Sequence, residues 1–304
     1  MTRTLITGAG GFVGRHLAAH LRERGDQVTG FDRECDVTDR DAVTRRVAAA
    51  DPEVVVHLAA LAHVGESWAD PERTRLVNVV GTANVLAASR AAGDALVIVV
   101  SSADVYGVVG EGDLPLRETH PASPVSPYAQ SKREAELVAL DAASMGQRVI
   151  IVRPFNHVGP GQATSFVVPA LASRLLEARA ARRGEIAVGD LSARRDFTDV
   201  RDVVRAYALL ARHGAAGEVY NVASGVDVAL SDVAARLVAA VAPGTALRVD
   251  PALLRPVEVP VLRGSFEKIH DATGWEPRVT LDETLRDVVA DLAGSGPEGA
   301  KAPE

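Results

Sequence analysis

The sequence predicts an α/β protein: a Rossmann-like, doubly wound parallel sheet carrying a smaller α/β C-terminal part. Three observations point there. Short apolar runs alternate with longer helical patterns through the first half of the chain. A glycine-rich turn joins the first run to the first helical pattern. The 304 residues are 47% apolar and 24% charged, enough for one large or two smaller globular units, so disorder is excluded as the main state.

The apolar runs are Thr4–Thr7, Gln27–Phe31, Val54–His57, Leu96–Val100 and Arg148–Val152. Strands that are apolar on both faces belong to a parallel sheet covered by helices on each side. The helical patterns between them are Phe12–Arg24, Arg40–Ala49, Glu72–Ala91 and Pro127–Ser144. Right-handed crossovers then wind the sheet in both directions. In the second half, helices are expected at Phe166–Arg179, Asp199–Arg212, Ser231–Val241 and Leu281–Leu292. Short strands are expected at Glu185–Val188, Asp196–Thr198 and Glu218–Asn221, and Ala181–Gly184 reads as a basic turn. The Gly294–Glu304 tail reads as disordered. No internal repeat and no long linker separates the halves.

Cys35 is the lone cysteine, which excludes an intramolecular disulfide framework and a cysteine-based metal site. No His/Asp/Glu set has ligand spacing, so no metal is expected. The net charge of −7 gives no nucleic-acid footprint. The start, MTRTLITGAGG, carries no cationic segment followed by an apolar core, and no run approaches ~18 uninterrupted apolar residues. The expectation is a soluble cytoplasmic protein with no membrane partner.

Gly8, Gly11 and Gly14 stand in GAGGFVG, directly after the first strand, and Phe12 and Val13 open the helix. The first glycine allows the tight turn, the second lets backbone approach a pyrophosphate, and the third allows close helix–sheet packing. The helix start offers N–H groups to phosphates. Asp32 follows at the end of the second strand, where a carboxylate suits a ribose hydroxyl pair and disfavours a 2′-phosphate. Arg33 beside it can reverse that preference, so NAD and NADP both stay open, with a lean to NAD. Asp36 and Val37 either flank the adenine, or Asp36 caps the next helix.

Tyr128 and Lys132 lie four residues apart in SPYAQSK, on one face of an expected helix. A phenol near pKa ~10 works best as a proton-transfer group if shifted toward neutrality, and a lysine cation and a nicotinamide charge close by would favour the phenolate. Ser101 and Ser102 close the fourth strand at its carboxyl end, where such sheets bind ligands. Ser102 is placed to hydrogen-bond a sugar oxygen; Ser101 more readily satisfies loop backbone.

With these motifs the chain resembles the extended short-chain dehydrogenase/reductase family, in its nucleotide-sugar branch, from Arg3 to about Leu292. The likeness rests on GAGGFVG, HLAA (His57–Ala60), NVVGT (Asn78–Thr82), SSADVYG, YAQSK, RPFNHVGPG (Arg153–Gly161) and RRDFTDVRDV (Arg194–Val203). The resemblance implies a Rossmann-type dinucleotide-binding domain at 1–155, with 196–223 returning to it, and a substrate-binding domain from 156–195 and 224–293. It implies a triad of Ser102, Tyr128 and Lys132, with Tyr128 as acid/base and Lys132 also holding the nicotinamide ribose. Leu58, Ala59, Ala60 and Asn78 would line the cofactor pocket, and Pro154 would lie beside the nicotinamide.

FNHVGPGQ, SFVVP and RPVEVPVLRG are most similar to the GDP-4-keto-6-deoxy-D-mannose reductases of that branch. This implies a nucleotide-diphosphate sugar partner, preferably a GDP-sugar, and NADH or NADPH as cofactor. Arg195 and Arg255 are then the diphosphate clamp. Asn156, Phe166, Val167, Val168 and Glu258 complete the substrate side. Arg182 and Arg183 read as solvated, while Arg194 and His157 remain open between binding and packing. Asp104 occupies the position of the dehydratase base, one methylene short, or bonds to backbone. Ala103 before it cannot donate a proton, unlike the acid of dTDP-glucose dehydratases. The expected reaction is C4 reduction of a GDP-4-keto-6-deoxyhexose to a sugar of the GDP-D-rhamnose type. Rivals are a UDP-glucose 4-epimerase-like enzyme, a GDP-mannose 4,6-dehydratase and a non-catalytic cofactor-sensing protein. The resemblance also implies a homodimer through Glu72–Ala91 and Pro127–Ser144.

Overall fold

The computed structural model describes residues 1–254 and 259–294. The first half runs β1 (Arg3–Thr7), α1 (Phe12–Glu23), β2 (Gln27–Phe31), α2 (Arg40–Ala50), β3 (Val54–His57), α3 (Val64–Ala69), α4 (Pro71–Arg75), a π-helical turn (Leu76–Val80), α5 (Gly81–Ala91), β4 (Leu96–Val100), α6 (Pro127–Ser144) and β5 (Val149–Pro154). The second half runs β6 (Asn156–Val158), α7 (Val167–Ala180), β7 (Glu185–Val188), β8 (Arg194–Asp199), α8 (Val200–His213), β9 (Val219–Val222), β10 (Asp227–Ala229), α9 (Leu230–Val241), β11 (Ala246–Val249), β12 (Val261–Leu262), α10 (Glu267–Thr273) and α11 (Leu281–Gly294).

Six parallel strands form the main sheet in the order β2-β1-β3-β4-β5-β9. The pleat sends alternate side chains to opposite faces, and both faces are covered. Ile6, Val56, Ile98, Ile150 and Val152 pack with Leu17 and Leu21 of α1 and Val203, Val204 and Tyr207 of α8. Leu5, Val55, Val97, Val99 and Ile151 pack on the other face with Val43 and Val47 of α2, Val85 and Leu86 of α5 and Ala139 of α6. The strand order reverses between β1 and β3, so their carboxyl ends open the crevice where such sheets bind ligands.

A second sheet joins β10, β8 and β12, with β6 also paired to β8, and β11 pairs with β7. Its core is built from α7, α9 and α11 through Leu171, Leu175, Val233, Leu237, Leu285 and Val288 around Phe197 and Ile186. The two cores meet beside the glycine turn. Phe12 stacks on His157 at 6.1 Å, His16 Nε2 lies 2.9 Å from Pro160 O, and Arg15 donates to both Gly10 O (2.6 Å) and Gly161 O (3.0 Å).

The structure departs from the sequence reading at several elements. β2 is an edge strand with only Phe31 fully buried, so it is not apolar-packed on both faces. The single helix expected over Glu72–Ala91 is interrupted by the π-helical turn and preceded by the unanticipated α3. Asp196–Thr198, read as part of the return to the first sheet, pairs in the second; the return begins with α8 and is completed by β9. β6, β10, β11, β12 and α10 are too short to show a period, and sequence alone does not reveal them. The tail expectation at 295–304, and the roles given to Arg255 and Glu258, lie outside the described residues.

Candidate active site

Gly8 leaves β1 with φ +71°, and both Gly8 N and Ala9 N donate to Phe31 O (2.8 and 3.1 Å). The turn is closed on every side. A Cβ on Gly8 would stand 2.9 Å from Ala59 N, and one on Gly14 would run into the Gly8 carbonyl oxygen. One on Gly10 would meet the Asp32 carboxylate. Gly11 caps α1 without a side chain, so the first N–H groups of this 12-residue helix point into the cradle. Phe12 and Val13 are half-buried against the first core. The glycines leave the cradle backbone bare, which fits a dinucleotide pyrophosphate, with the Asp32 carboxylate against Gly10 and Arg33 exposed beside it.

Asp36 neither caps α2 nor stands free: it accepts from Thr38 N (2.9 Å) and Thr38 Oγ1 (2.8 Å), while Asp39 caps the helix through Asp41 N and Ala42 N. Val37 is buried beneath Gly81, so its side chain belongs to the core.

At the end of β3, Ala59 N donates to Thr7 Oγ1 (3.2 Å), which donates to His57 Nδ1 (2.7 Å). His57 Nε2 then donates to Thr82 Oγ1 (3.1 Å), whose proton goes to Asn78 O (2.7 Å). The polarity of this chain makes the imidazole neutral with its proton on Nε2. Burial first, and Lys132 second, push its pKa down to about 3. Asn78 accepts from Leu61 N (2.8 Å) and donates to Leu61 O (3.1 Å) and Ser131 Oγ (2.9 Å). Its side chain therefore ties the Leu58–Leu61 segment to α6, with Leu58, Ala59 and Ala60 half-buried at the crevice.

Ser126 caps α6 by accepting from Ala129 N (3.1 Å), Pro127 occupies the first turn, and Tyr128 N donates to Ser67 Oγ (3.1 Å). This fixes the buried Tyr128 phenol against the Ser102 hydroxyl, which also accepts from Asp104 N (3.1 Å). One turn on, buried Lys132 donates from Nζ to Val100 O (2.8 Å). Triad and cradle thus share the carboxyl edge of the sheet. Burial, then the charge of Asp104, raise the Tyr128 pKa, and only the Ser102 hydrogen bond opposes them. Lys132 is itself pushed down to about 8 by burial. Burial disfavours the charged form of both groups. Ser101 is buried near the Glu136 carboxylate, and its Oγ has no hydrogen-bond partner among the described residues.

On the opposite wall, Pro154 and Phe155 are buried and Asn156 is half-buried at the start of β6. His157 packs on Phe12 with its Nδ1 3.2 Å from Phe155 O, and burial lowers its pKa, so it is a neutral packed histidine. Phe166 is exposed at the cap of α7, followed by half-buried Val167 and buried Val168. His63 reaches across to this point, edge-on to Phe166 at 5.9 Å and 3.3 Å from Ser165 O. Arg195 is buried in β8 and donates to Arg194 O (2.9 Å). Arg194 pairs with Asp227, while Arg182 and Arg183 are exposed. Ala103 is buried and apolar.

Residues 4–223 match the NAD dependent epimerase/dehydratase family. The chain belongs to this family. It is 37% identical over 294 residues to GDP-6-deoxy-D-mannose reductase of Pseudomonas aeruginosa, covering 95% of this chain and 96% of the relative. The solved structure of RMD from Pseudomonas aeruginosa complexed with NADPH superposes with a TM-score of 0.89 at 36% identity, covering 97% of this chain and 99% of that one. UDP-glucose 4-epimerase of Thermus thermophilus, in complex with NAD, gives a TM-score of 0.87 at 31% identity, covering 96% and 99%.

As a member of the NAD dependent epimerase/dehydratase family, the protein is an NAD(P)-dependent enzyme with a Rossmann-type fold. What the geometry can do follows from the Tyr128–Ser102 contact: deliver or withdraw a proton at one oxygen at the crevice floor. Sequence reasoning missed Thr7, His57, His63, Glu136 and Arg153 as parts of this site. HLAA and RPFN flagged His57 and Arg153 by place only; Glu136, four residues beyond Lys132, carried the helical spacing that could have drawn attention to it. Among the described residues, no group of three or more His, Cys, Asp or Glu is arranged for a metal, and no helix is long and apolar enough to cross a membrane.

Proposed function

We propose that the protein reduces the C4 keto group of a GDP-4-keto-6-deoxyhexose to the alcohol, using NADH or NADPH, and yields a GDP-6-deoxyhexose of the GDP-D-rhamnose type. The observation that carries this reading is the buried Tyr128 phenol beside Ser102: burial raises its pKa, so it is protonated at neutral pH, as a carbonyl reduction requires. The near full-length similarity to GDP-6-deoxy-D-mannose reductase supports the substrate class. Apolar Ala103, between Ser102 and Asp104, supports reduction over the dTDP-type dehydration.

Gly8, Gly11, Gly14 and the start of α1 hold the pyrophosphate, Asp32 and Arg33 the adenosine ribose, and Ala59, Ala60 and Pro154 the far half of the cofactor. The chemistry the reduced cofactor supplies when bound is a hydride to C4. Tyr128 donates its proton to the C4 oxygen, so one hydride and one proton complete the alcohol. Ser102 holds the same oxygen, and Lys132, charged below pH about 8, keeps positive charge beside the phenolate left behind. Arg195 and Arg255 bind the diphosphate, and Asn156, Glu258 and the Phe166–Val168 segment bind sugar and base. Residues 1–155, 200–223 and the second-sheet body act as cofactor and substrate sides of one crevice. The working unit is a homodimer in the cytoplasm, joined through the α4–α5 and α6 surface.

The test incubates the protein with GDP-4-keto-6-deoxymannose and NADPH or NADH, in parallel with GDP-mannose and UDP-glucose. Stoichiometric cofactor oxidation and a GDP-6-deoxyhexose are expected from the keto sugar. Interconversion of UDP-glucose without net oxidation, or water loss from GDP-mannose, with no reduction of the keto sugar, overturns the reading in favour of epimerase or dehydratase.

A further inference from the structure

We propose that Glu136 is a positioning residue for the Tyr128–Lys132 pair: clamped by two arginines, its carboxylate keeps the Lys132 side chain charged and aligned against the end of β4. The proposal rests on the reading above only for what Lys132 does, not for how it titrates.

Tyr128, Lys132 and Glu136 recur every four residues on one face of α6, with Lys132 reaching the end of β4. The phenol meets Ser102, Lys132 Nζ donates to Val100 O at 2.8 Å, and the Glu136 carboxylate lies on the side of Ser101. Glu136 is fully buried. Arg153 of β5 grips it bidentately, Nε to Oε1 at 2.7 Å and Nη2 to Oε2 at 2.8 Å, and Arg133 adds Nη1 to Oε2 at 2.8 Å. Arg153 is held in turn by Glu118 O (3.3 Å) and by the Tyr106 ring, 4.9 Å beneath its guanidinium. Tyr106 donates to Asn221 Oδ1 (2.7 Å) in β9. The carboxylate is thus fixed from three elements and cannot swing away.

A buried ion pair is a poor stabiliser compared with an apolar pair of the same size. Charge retained at this depth therefore points to what it does for a neighbour. Around Lys132 that neighbour is clear. His57 faces it from β3 but is neutral, Val100 offers a carbonyl from β4, and Tyr128 is a neutral phenol on its own helix. Glu136 is the charge that opposes the burial of the ammonium. Arg153, Arg133, Ser101, Tyr106 and Glu118 face Glu136 or Arg153 and complete the surroundings.

The chain contains three lysines, Lys132, Lys268 and Lys301. Labelling lysine with ¹³C at Cε therefore lets NMR follow Lys132 directly through a pH titration of the free protein. The wild type is expected to titrate near 8. Glu136→Gln is expected to move the midpoint down by ~1 pH unit or more, because burial is left unopposed. Glu136→Asp, which keeps the charge, is expected to stay within a few tenths. A merely structural role predicts the opposite sign: loosened packing hydrates the amine and moves it up toward 10.5, the ordinary lysine value. An unchanged or upward midpoint in folded Glu136→Gln overturns the proposal. If that variant does not fold, Glu136→Asp decides: with the fold intact, a midpoint that falls by ~1 pH unit or more although the carboxylate charge is kept overturns the proposal. The titration uses no substrate, so failure of the reductase reading would leave it standing.

Discussion

A phenol taken out of water resists ionisation, and Tyr128 also has the Asp104 carboxylate acting against its phenolate. It is therefore protonated at neutral pH, the state the proposed reduction needs of it. Tyr128→Phe is expected to lower kcat by ~10²- to 10⁴-fold while the dissociation constant for NAD(P)H changes little, measured by stopped-flow turnover and fluorescence titration. Near-normal turnover would remove Tyr128 from the mechanism. SPYAQSK and SSADVYG pointed to this group only together with the glycine turn and the family resemblance, since a Tyr and a Lys four apart on a helix are common. The direction of its pKa shift was not legible, because burial and the approach of Asp104 depend on how loop and helix pack.

The π-helical turn shows what an element contributes. Its extra residue per turn carries Asn78 inward, where it bonds Leu61 on both backbone groups and Ser131 on α6. Asn78→Ala would leave Leu61 N–H and C=O and Ser131 Oγ short of partners, at about 1–3 kcal/mol for each group that stays buried and unpaired. The expected outcome is a lower Tm by calorimetry and weaker cofactor binding, since Ala59 and Ala60 sit on the same segment; an unchanged Tm and affinity would show that Asn78 anchors nothing. Apolar spacing over Glu72–Ala91 reads as one helix because the residues on either side of the turn still alternate correctly. A single inserted residue leaves no mark on composition. NVVGT nonetheless drew attention to Asn78, though as a pocket residue rather than as a strut.

At the scale of the molecule, Asp199 joins three elements. At the junction of β8 and α8 it accepts from Arg201 N (2.7 Å), Nε and Nη2 (both 2.8 Å), and from Thr284 Oγ1 of α11 (2.7 Å). Burial opposes ionisation of Asp199 and of Glu136, yet these hydrogen bonds and the arginine charges hold both carboxyls below their ordinary values of 3.8 and 4.5. A depressed carboxyl contributes stability that is complete above its unfolded pKa and is lost as pH falls through the folded one. Buried His57, held neutral with its pKa at about 3, adds a loss that begins as pH falls through the ordinary histidine value. Unfolding free energy is therefore expected to decline from pH ~6.5 and more steeply below pH ~4, followed by circular dichroism in denaturant; a value no lower at pH ~3 than at pH ~7 would contradict this. The outer surface carries a second expectation. Leu76, Val80 and Leu137 are exposed, and the Arg75–Glu134 pair (2.6 Å) places the π-helical turn beside α6. Apolar side chains gathered on packed helices suit an interface between copies. Leu137→Glu is expected to convert a dimer to a monomer by sedimentation velocity, with no change if the wild type is monomeric.

The sequence by itself determined the class of fold, the glycine cradle and the Tyr–Lys pair, because each is written in local spacing: period two against 3.6, bare backbone at a turn, side chains four apart on a helix. The tertiary structure decided which strand joins which sheet, that Ser101 is buried near Glu136, that His57 is a neutral strut, and that Glu136 pairs with Arg153 on the helix that carries Tyr128 and Lys132. Those outcomes depend on desolvation and on contacts between residues far apart in the chain, and neither has a signature in local order.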